Sequence, residues 1–182
     1  MQELQDFQVK PVTLETWMDL EALFESRGGP KYCWCMAWRQ MEQRSSATNA
    51  DRKQALHGQL LSGKPIGLIG YADGQPVAWC SLAPRSTFLP LRDNQTDEPD
   101  VWSVTCFFIR RDYRGKGLSG QMLVAAVEHA KLNGAKALEG YPVDPESPSY
   151  RFMGFLPLFE QHGFREVARA GTRRHVFRLD YQ

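Results

Sequence analysis

The stretch VWSVTCFFIRRDYRGKGLSG, residues 101–120, decides the fold of this chain. Its first nine residues, Val101 to Ile109, are almost all β-branched or aromatic, as expected of a central strand buried on both faces. A basic turn follows, with Arg110, Arg111, Arg114 and Lys116 around Gly115 and Gly117. From Leu118 the period changes: Leu118, Met122, Ala126 and Ala130 recur every four residues beside Leu123 and Val127, predicting a helix that Asn133-Gly134 ends near residue 132. Residues 137–141 then read as a short strand, so the unit is strand, helix, strand, a parallel crossover. Glycines let backbone approach a ligand, and unpaired amides at a helix start receive anionic oxygen, so the turn is suited to a ligand carrying phosphates. Four basic side chains strengthen that reading.

Outward from this unit the chain is built of short elements. Residues 66–71 and 77–82 read as strands around Ala72-Asp73-Gly74-Gln75, where Asp-Gly is an antiparallel hairpin signal. A short strand at 7–12 precedes a helix from Leu14, with Trp17, Leu20, Leu23 and Phe24 at helical spacing, Thr13 as its cap and Gly28-Gly29-Pro30 as its end. A second helix spans 51–61 and is stopped by Gly63 and Pro65. Residues 85–100 read as a loop, 142–149 as a turn-rich insert, 155–161 as a short helix ended by Gly163, and 164–168 and 175–179 as closing strands. The fold class is α/β (α+β): a mixed, mostly antiparallel sheet with one parallel strand-helix-strand unit. No repeat or linker divides residues 1–182, which read as a single domain.

Composition narrows the function. The 22 basic and 21 acidic residues cancel to +1, so no overall field draws in nucleic acid or an anionic membrane. Residues 1–10 are polar without a signal-peptide core, and no run approaches the roughly 20 apolar residues of a membrane span, which predicts a cytoplasmic protein. Cys33, Cys35, Cys80 and Cys106 lie among Trp and Phe and read as packed, reduced thiols. No metal is expected, because Cys33 and Cys35 lack further ligands nearby. His57, His129, His162 and His175 sit singly and support no triad.

Two phosphate-binding readings compete. Gly115-Lys116-Gly117-Leu118-Ser119-Gly120 fits a dinucleotide fingerprint, with Glu139 near the ribose-binding distance. Against it, five residues separate Ile109 from Gly115, antiparallel signals precede the motif, and only about 40 residues follow Glu139, too few for a doubly wound sheet. The run Arg114-Gly115-Lys116-Gly117-Leu118-Ser119 instead resembles the signature of the GNAT superfamily of acyl-CoA N-acyltransferases: Arg or Gln, two residues, Gly, one residue, then Gly or Ala. Ser119 stands where that last small residue is usual, and His162-Gly163-Phe164 is similar to the family's Gly-Phe turn.

The resemblance implies that Arg114, Gly115, Lys116, Gly117, Leu118, Ser119 and Gly120 receive the pyrophosphate of acetyl-CoA or another acyl-CoA. It also implies that the strand ending at Phe108 and Ile109 splays to pair with the pantetheine arm. The acceptor is expected to be a small-molecule amine or a peptide, and a homodimer is left open. The family's usual acid, a Tyr five residues before the Phe of the Gly-Phe turn, is here Phe159, and Phe152 stands near the usual upstream Asn. A thiolate of pKa about 8.5 leaves tolerably, whereas an amine of pKa about 10.4 must lose a proton, so base catalysis is the greater need. Asp100 and Glu139 are candidate bases, and Tyr150 and Tyr141 candidate proton donors. The segment 31–39, KYCWCMAWR, falls where the resemblance puts part of the acceptor pocket, and helix packing accounts for it equally well. Two readings stand: an N-acyltransferase working by direct attack, and an acyl-CoA-binding module that has lost catalysis.

Overall fold

A computed structural model describes residues 6–182; the polar opening read at residues 1–10 lies partly, over 1–5, outside the described residues. Seven strands form one sheet in the order β1-β2-β3-β4-β5-β7-β6: β1 (Phe7–Pro11), β2 (Gly67–Ala72), β3 (Gln75–Pro84), β4 (Val101–Ile109), β5 (Ala137–Gly140), β6 (Arg165–Ala170) and β7 (Arg174–Asp180). Only β4 and β5 pair in parallel, and α3 (Leu118–Leu132) is the crossover between them. That pairing is the mixed sheet expected from the sequence, and it removes the doubly wound alternative.

Two apolar layers sandwich the sheet. On one face α3 buries Leu118, Met122, Leu123, Ala126 and Ala130 against Val104 and Leu138; each of the larger side chains contributes about 1.5–3 kcal/mol by leaving water. On the other, α1 (Trp17–Glu25) and α2 (Asn49–Leu61) close over Trp79 and Phe108 with Leu20, Phe24, Trp34 and Leu56. The 72–75 hairpin turns through Asp73 and Gly74, with φ of 50° and 74°, the positive pair that fits right-handed strand twist.

Several boundaries differ from the sequence reading. Helix α1 begins at Trp17 rather than near Leu14, which is exposed. Thr13 is not its cap, because the Thr13 amide donates to Thr16 Oγ1 (2.9 Å) and the two threonines form a turn ahead of the helix. Helix α2 begins earlier than expected, at Asn49, because Thr48 and Asp51 form a reciprocal capping box, worth about 1 kcal/mol. Strand β5 stops at Gly140 and does not include Tyr141, since the chain turns there toward β7, where the His175 amide donates to Pro142 O (2.9 Å). A short helix α4 (Leu156–Gln161) precedes the last hairpin.

Candidate functional site

The glycine turn is open backbone. Gly115 and Gly117 have φ of 74° and 73°, a conformation that costs any residue with a Cβ roughly 1–2 kcal/mol. Gly117 precedes α3 without a side-chain cap. The amides of residues 115–119 donate to no acceptor among the described residues, and the next amide, of Gly120, returns to Gly117 O (3.1 Å). Five consecutive free donors at a helix start make an anion site. They border a cleft of about 760 Å³ whose other wall includes Leu158 and His162 of the α4 region. Arg114 Nε donates to Ile109 O (3.0 Å), which ties the turn to the end of β4, while Lys116 stands in solvent near the Tyr113 ring.

Beside this turn the sheet opens. β5 pairs with β4 only over Val101–Val104, and residues 105–109 of β4 have no β5 partner. The break has a local cause on each strand. The register against β3 jumps from Ser81↔Cys106 to Leu82↔Val104, so Thr105 is a bulge that bends β4. The chain beyond β5 leaves for β7, and Val143 bonds to Gly154, Leu156 and the Arg174 region instead. Phe108 and Ile109 therefore lie on the part of β4 that has no β5 partner, while still pairing with Trp79 and Ala78 of β3. Phe159 fills the fork: it is fully buried, its ring meets Gly140 and Gly154, and it packs edge-on to Phe107 and Phe164.

The four candidate acid-base residues are not brought together. Asp100 pairs with Lys136 (2.7 Å) at the opposite end of β4, about 30 Å from the turn at strand rise, so it is removed from the site. Glu139 is buried and holds three guanidiniums, Arg85 at 2.9 Å, Arg178 at 3.4 Å and Arg92 at 3.7 Å, which occupy both carboxylate oxygens. Its place is in an ion-pair network, not facing an acceptor. Tyr141 is fully buried, its hydroxyl shared with Ser103 Oγ (2.8 Å) and Glu139 Oε2 (3.1 Å), and burial pushes it well above the usual phenol range. Of the two candidate tyrosines, Tyr150 has the hydroxyl with no partner among the described residues; it is partly exposed, with its ring near Trp38 and the Arg174 guanidinium.

The middle of the 31–39 segment is core, while Lys31, Tyr32 and Ala37 are exposed. Trp34, Cys35 and Met36 are buried between α1 and the sheet, and Trp79 Nε1 donates to Cys35 Sγ (3.0 Å), which lies 3.3 Å from Cys106 Sγ. Burial drives the Cys35 thiol well above its ordinary range. Arg39 is a residue that sequence reasoning missed. It is fully buried, bonded to Ile66 O (2.6 Å) and Ser81 Oγ (3.0 Å) without a carboxylate, and burial lowers it to about 10. No pattern of spacing announces it, because its partners come from α2, through Gln59 Oε1 (3.1 Å), from the residue just before β2 and from β3. Among the described residues no group of three metal-ligating side chains forms a site, and no helix is long and apolar enough to cross a membrane.

Comparison with known proteins adds to this geometry. The sequence profile described as the acetyltransferase (GNAT) family matches residues 20–155. No curated protein matches the chain in sequence. Among solved structures, an acetyltransferase from Thermus thermophilus superimposes with a TM-score of 0.58 at 19% identity, covering 98% of this chain and 99% of that one. Aminoglycoside acetyltransferase AAC(6')-Ib in complex with coenzyme A gives 0.65 at 16% identity, with 97% and 96% covered. PaiA N-acetyltransferase from Thermoplasma acidophilum, also in complex with coenzyme A, gives 0.57 at 13% identity, with 97% and 100% covered. At these identities the structures attest a shared fold.

Proposed function

Since the chain belongs to the GNAT acetyltransferase family, we propose that it is an acyl-CoA-dependent N-acyltransferase, moving an acetyl or other short acyl group from CoA to an amine by direct attack. The observation that carries this reading is the run of five free amides at residues 115–119, opening on a cleft that reaches the end of β4 at Ile109, in the part of that strand without a β5 partner. In this reading Arg114, Gly115, Lys116, Gly117, Leu118, Ser119 and Gly120 hold the pyrophosphate, and Phe108 and Ile109 offer backbone to the pantetheine arm. The whole chain acts as one acyltransferase domain. Four free thiols suit a reducing, cytoplasmic setting.

The amine lone pair attacks the thioester carbonyl, a tetrahedral oxyanion forms, and the carbon–sulfur bond breaks to release the CoA thiolate. The amine proton passes to solvent or a bound water, since Asp100 is remote and Glu139 is engaged. The thiolate leaves unaided or takes a proton from Tyr150, the candidate with a free hydroxyl. Transfer through Cys35 is disfavoured because it is buried against Trp79 and Cys106, and burial raises its thiol. Phe159 supports the second reading, a CoA-binding module without turnover, because the fork where a donor would be useful holds an apolar ring.

Acetyl-CoA should raise the thermal midpoint while NADH and NADPH have much smaller effects; a shift with NADPH and none with acetyl-CoA would sink the assignment. Free CoA release across a panel of amines separates the enzyme from the binding module.

A further inference from the structure

A second cavity, of about 700 Å³, lies just before the glycine turn, at residues 110–114. One wall is the turn after α1, with Arg27; the other is Arg110, Arg111, Asp112 and Arg114. Four arginines and one aspartate thus line it, a formal charge of +3 in a chain whose total is +1; the Arg110 guanidinium also lies over the Tyr113 ring, and Arg114 Nε is held by Ile109 O. Asp112 neutralises little of it: its one ion pair, with Arg110, is long at 3.8 Å, and both partners are substantially exposed. Arg27 and Arg111 have no acidic or hydrogen-bonding partner among the described residues. Like charges gathered around one cavity repel each other, and a bound anion relieves that repulsion. Arg114 lines this cavity and the 760 Å³ cleft alike, so the two are adjacent across one side chain.

On the reading that the 115–119 amides hold a CoA pyrophosphate, CoA carries one more anionic group nearby, the phosphomonoester on the 3′ oxygen of its ribose. That group bears close to two negative charges at neutral pH and offers three acceptor oxygens, the chemistry that planar guanidiniums recognise. The pyrophosphate already has five amides and a helix start; the phosphomonoester has none of these. We propose that the arginine pocket is the site of the 3′-phosphate, with Arg27 from the end of α1 and Arg111 from the β4 turn as its principal contacts, so that the protein distinguishes CoA from 3′-dephospho-CoA. Arg27 also makes the α1 end, almost 90 residues before the glycine turn, part of the nucleotide site.

The test is titration of wild-type protein, Arg27→Ala and Arg111→Ala with CoA and with 3′-dephospho-CoA, followed by calorimetry. Wild type should bind the dephospho form about tenfold or more weakly, as expected for the loss of charge-assisted contacts. Each variant should lose about three- to tenfold in CoA affinity while its affinity for 3′-dephospho-CoA stays that of wild type. Both side chains are exposed, so both variants are expected to fold. Equal binding of the two nucleotides by wild type overturns the inference and leaves the CoA reading intact. If Arg27→Ala weakens both nucleotides equally, the arginines serve the pyrophosphate and the inference falls. A variant that changes only the KM of the acceptor amine assigns the pocket to the acceptor, with the same result. If neither nucleotide binds, the CoA reading falls first and takes the inference with it.

Discussion

The arginines around Glu139 and those around Gly115 carry the same charge and serve different ends. Arg85, Arg92 and Arg178 converge on Glu139, which sits opposite Ser103 near the start of β4, and Glu98 adds a second carboxylate at 3.3 Å from Arg85 and 3.0 Å from Arg178. This group is inward, paired, and joins the 85–98 loop to β5 and β7. Arg27, Arg110, Arg111 and Arg114 lie beyond the end of β4, exposed or half-exposed, with a single weak carboxylate among them. A cation whose anion is supplied by the chain is scaffold. One whose anion is missing, next to amides that are also unpartnered, is built for something outside the chain.

Glu139→Gln tests the first half of that contrast and should have the largest effect. It leaves buried guanidiniums without their charge, at a cost of about 3–5 kcal/mol, read as a lower urea midpoint with an unchanged slope. A loss below about 1 kcal/mol would mean that Glu98 alone can hold the network. Gly117→Val tests the second half. Its φ of 73° is unfavourable for a branched residue, so CoA affinity should fall about a hundredfold, while stability falls by only about 1–2 kcal/mol. Unchanged affinity in the folded variant would dissociate the turn from the ligand.

Phe159→Tyr probes the fork between the two regions. A hydroxyl introduced among Phe107, Phe164 and Phe177 enters an apolar cluster, so the variant should lose about 1–3 kcal/mol. If deprotonation of the acceptor limits turnover, its rate should change by only a few fold, and the wild-type rate should climb with pH toward the amine pKa without a falling limb below about pH 9. A hundredfold gain would instead show that the site lacks an acid it needs, favouring the binding module. The smallest effect is expected from salt. Raising it from about 50 to 500 mM should weaken CoA several fold through the exposed arginines and barely move the unfolding midpoint, because buried pairs are poorly screened. Equal sensitivity of both measurements would erase the distinction between the clusters.

Local sequence determined a good deal here. The 101–120 stretch specified a buried strand, a left-handed glycine turn and an amphipathic helix, because each depends on side-chain period or on the φ angles only glycine adopts easily. The antiparallel hairpin at Asp73-Gly74 and the absence of a Tyr at 159 were equally legible. Tertiary structure decided the rest. Whether Glu139 faced an acceptor or three arginines depended on a partner 54 positions earlier in the chain, Arg85. Asp100 was the exception: it precedes the central strand and the glycine turn follows it, so strand rise alone already set it about 30 Å from the turn. The burial of Arg39, the bulge at Thr105 and the meeting of Arg27 with Arg111 likewise depend on register and on how α1 docks. Periodicity reports which face of an element is apolar; it is silent on which distant charge will lie across from it, because that is fixed when the sheet closes.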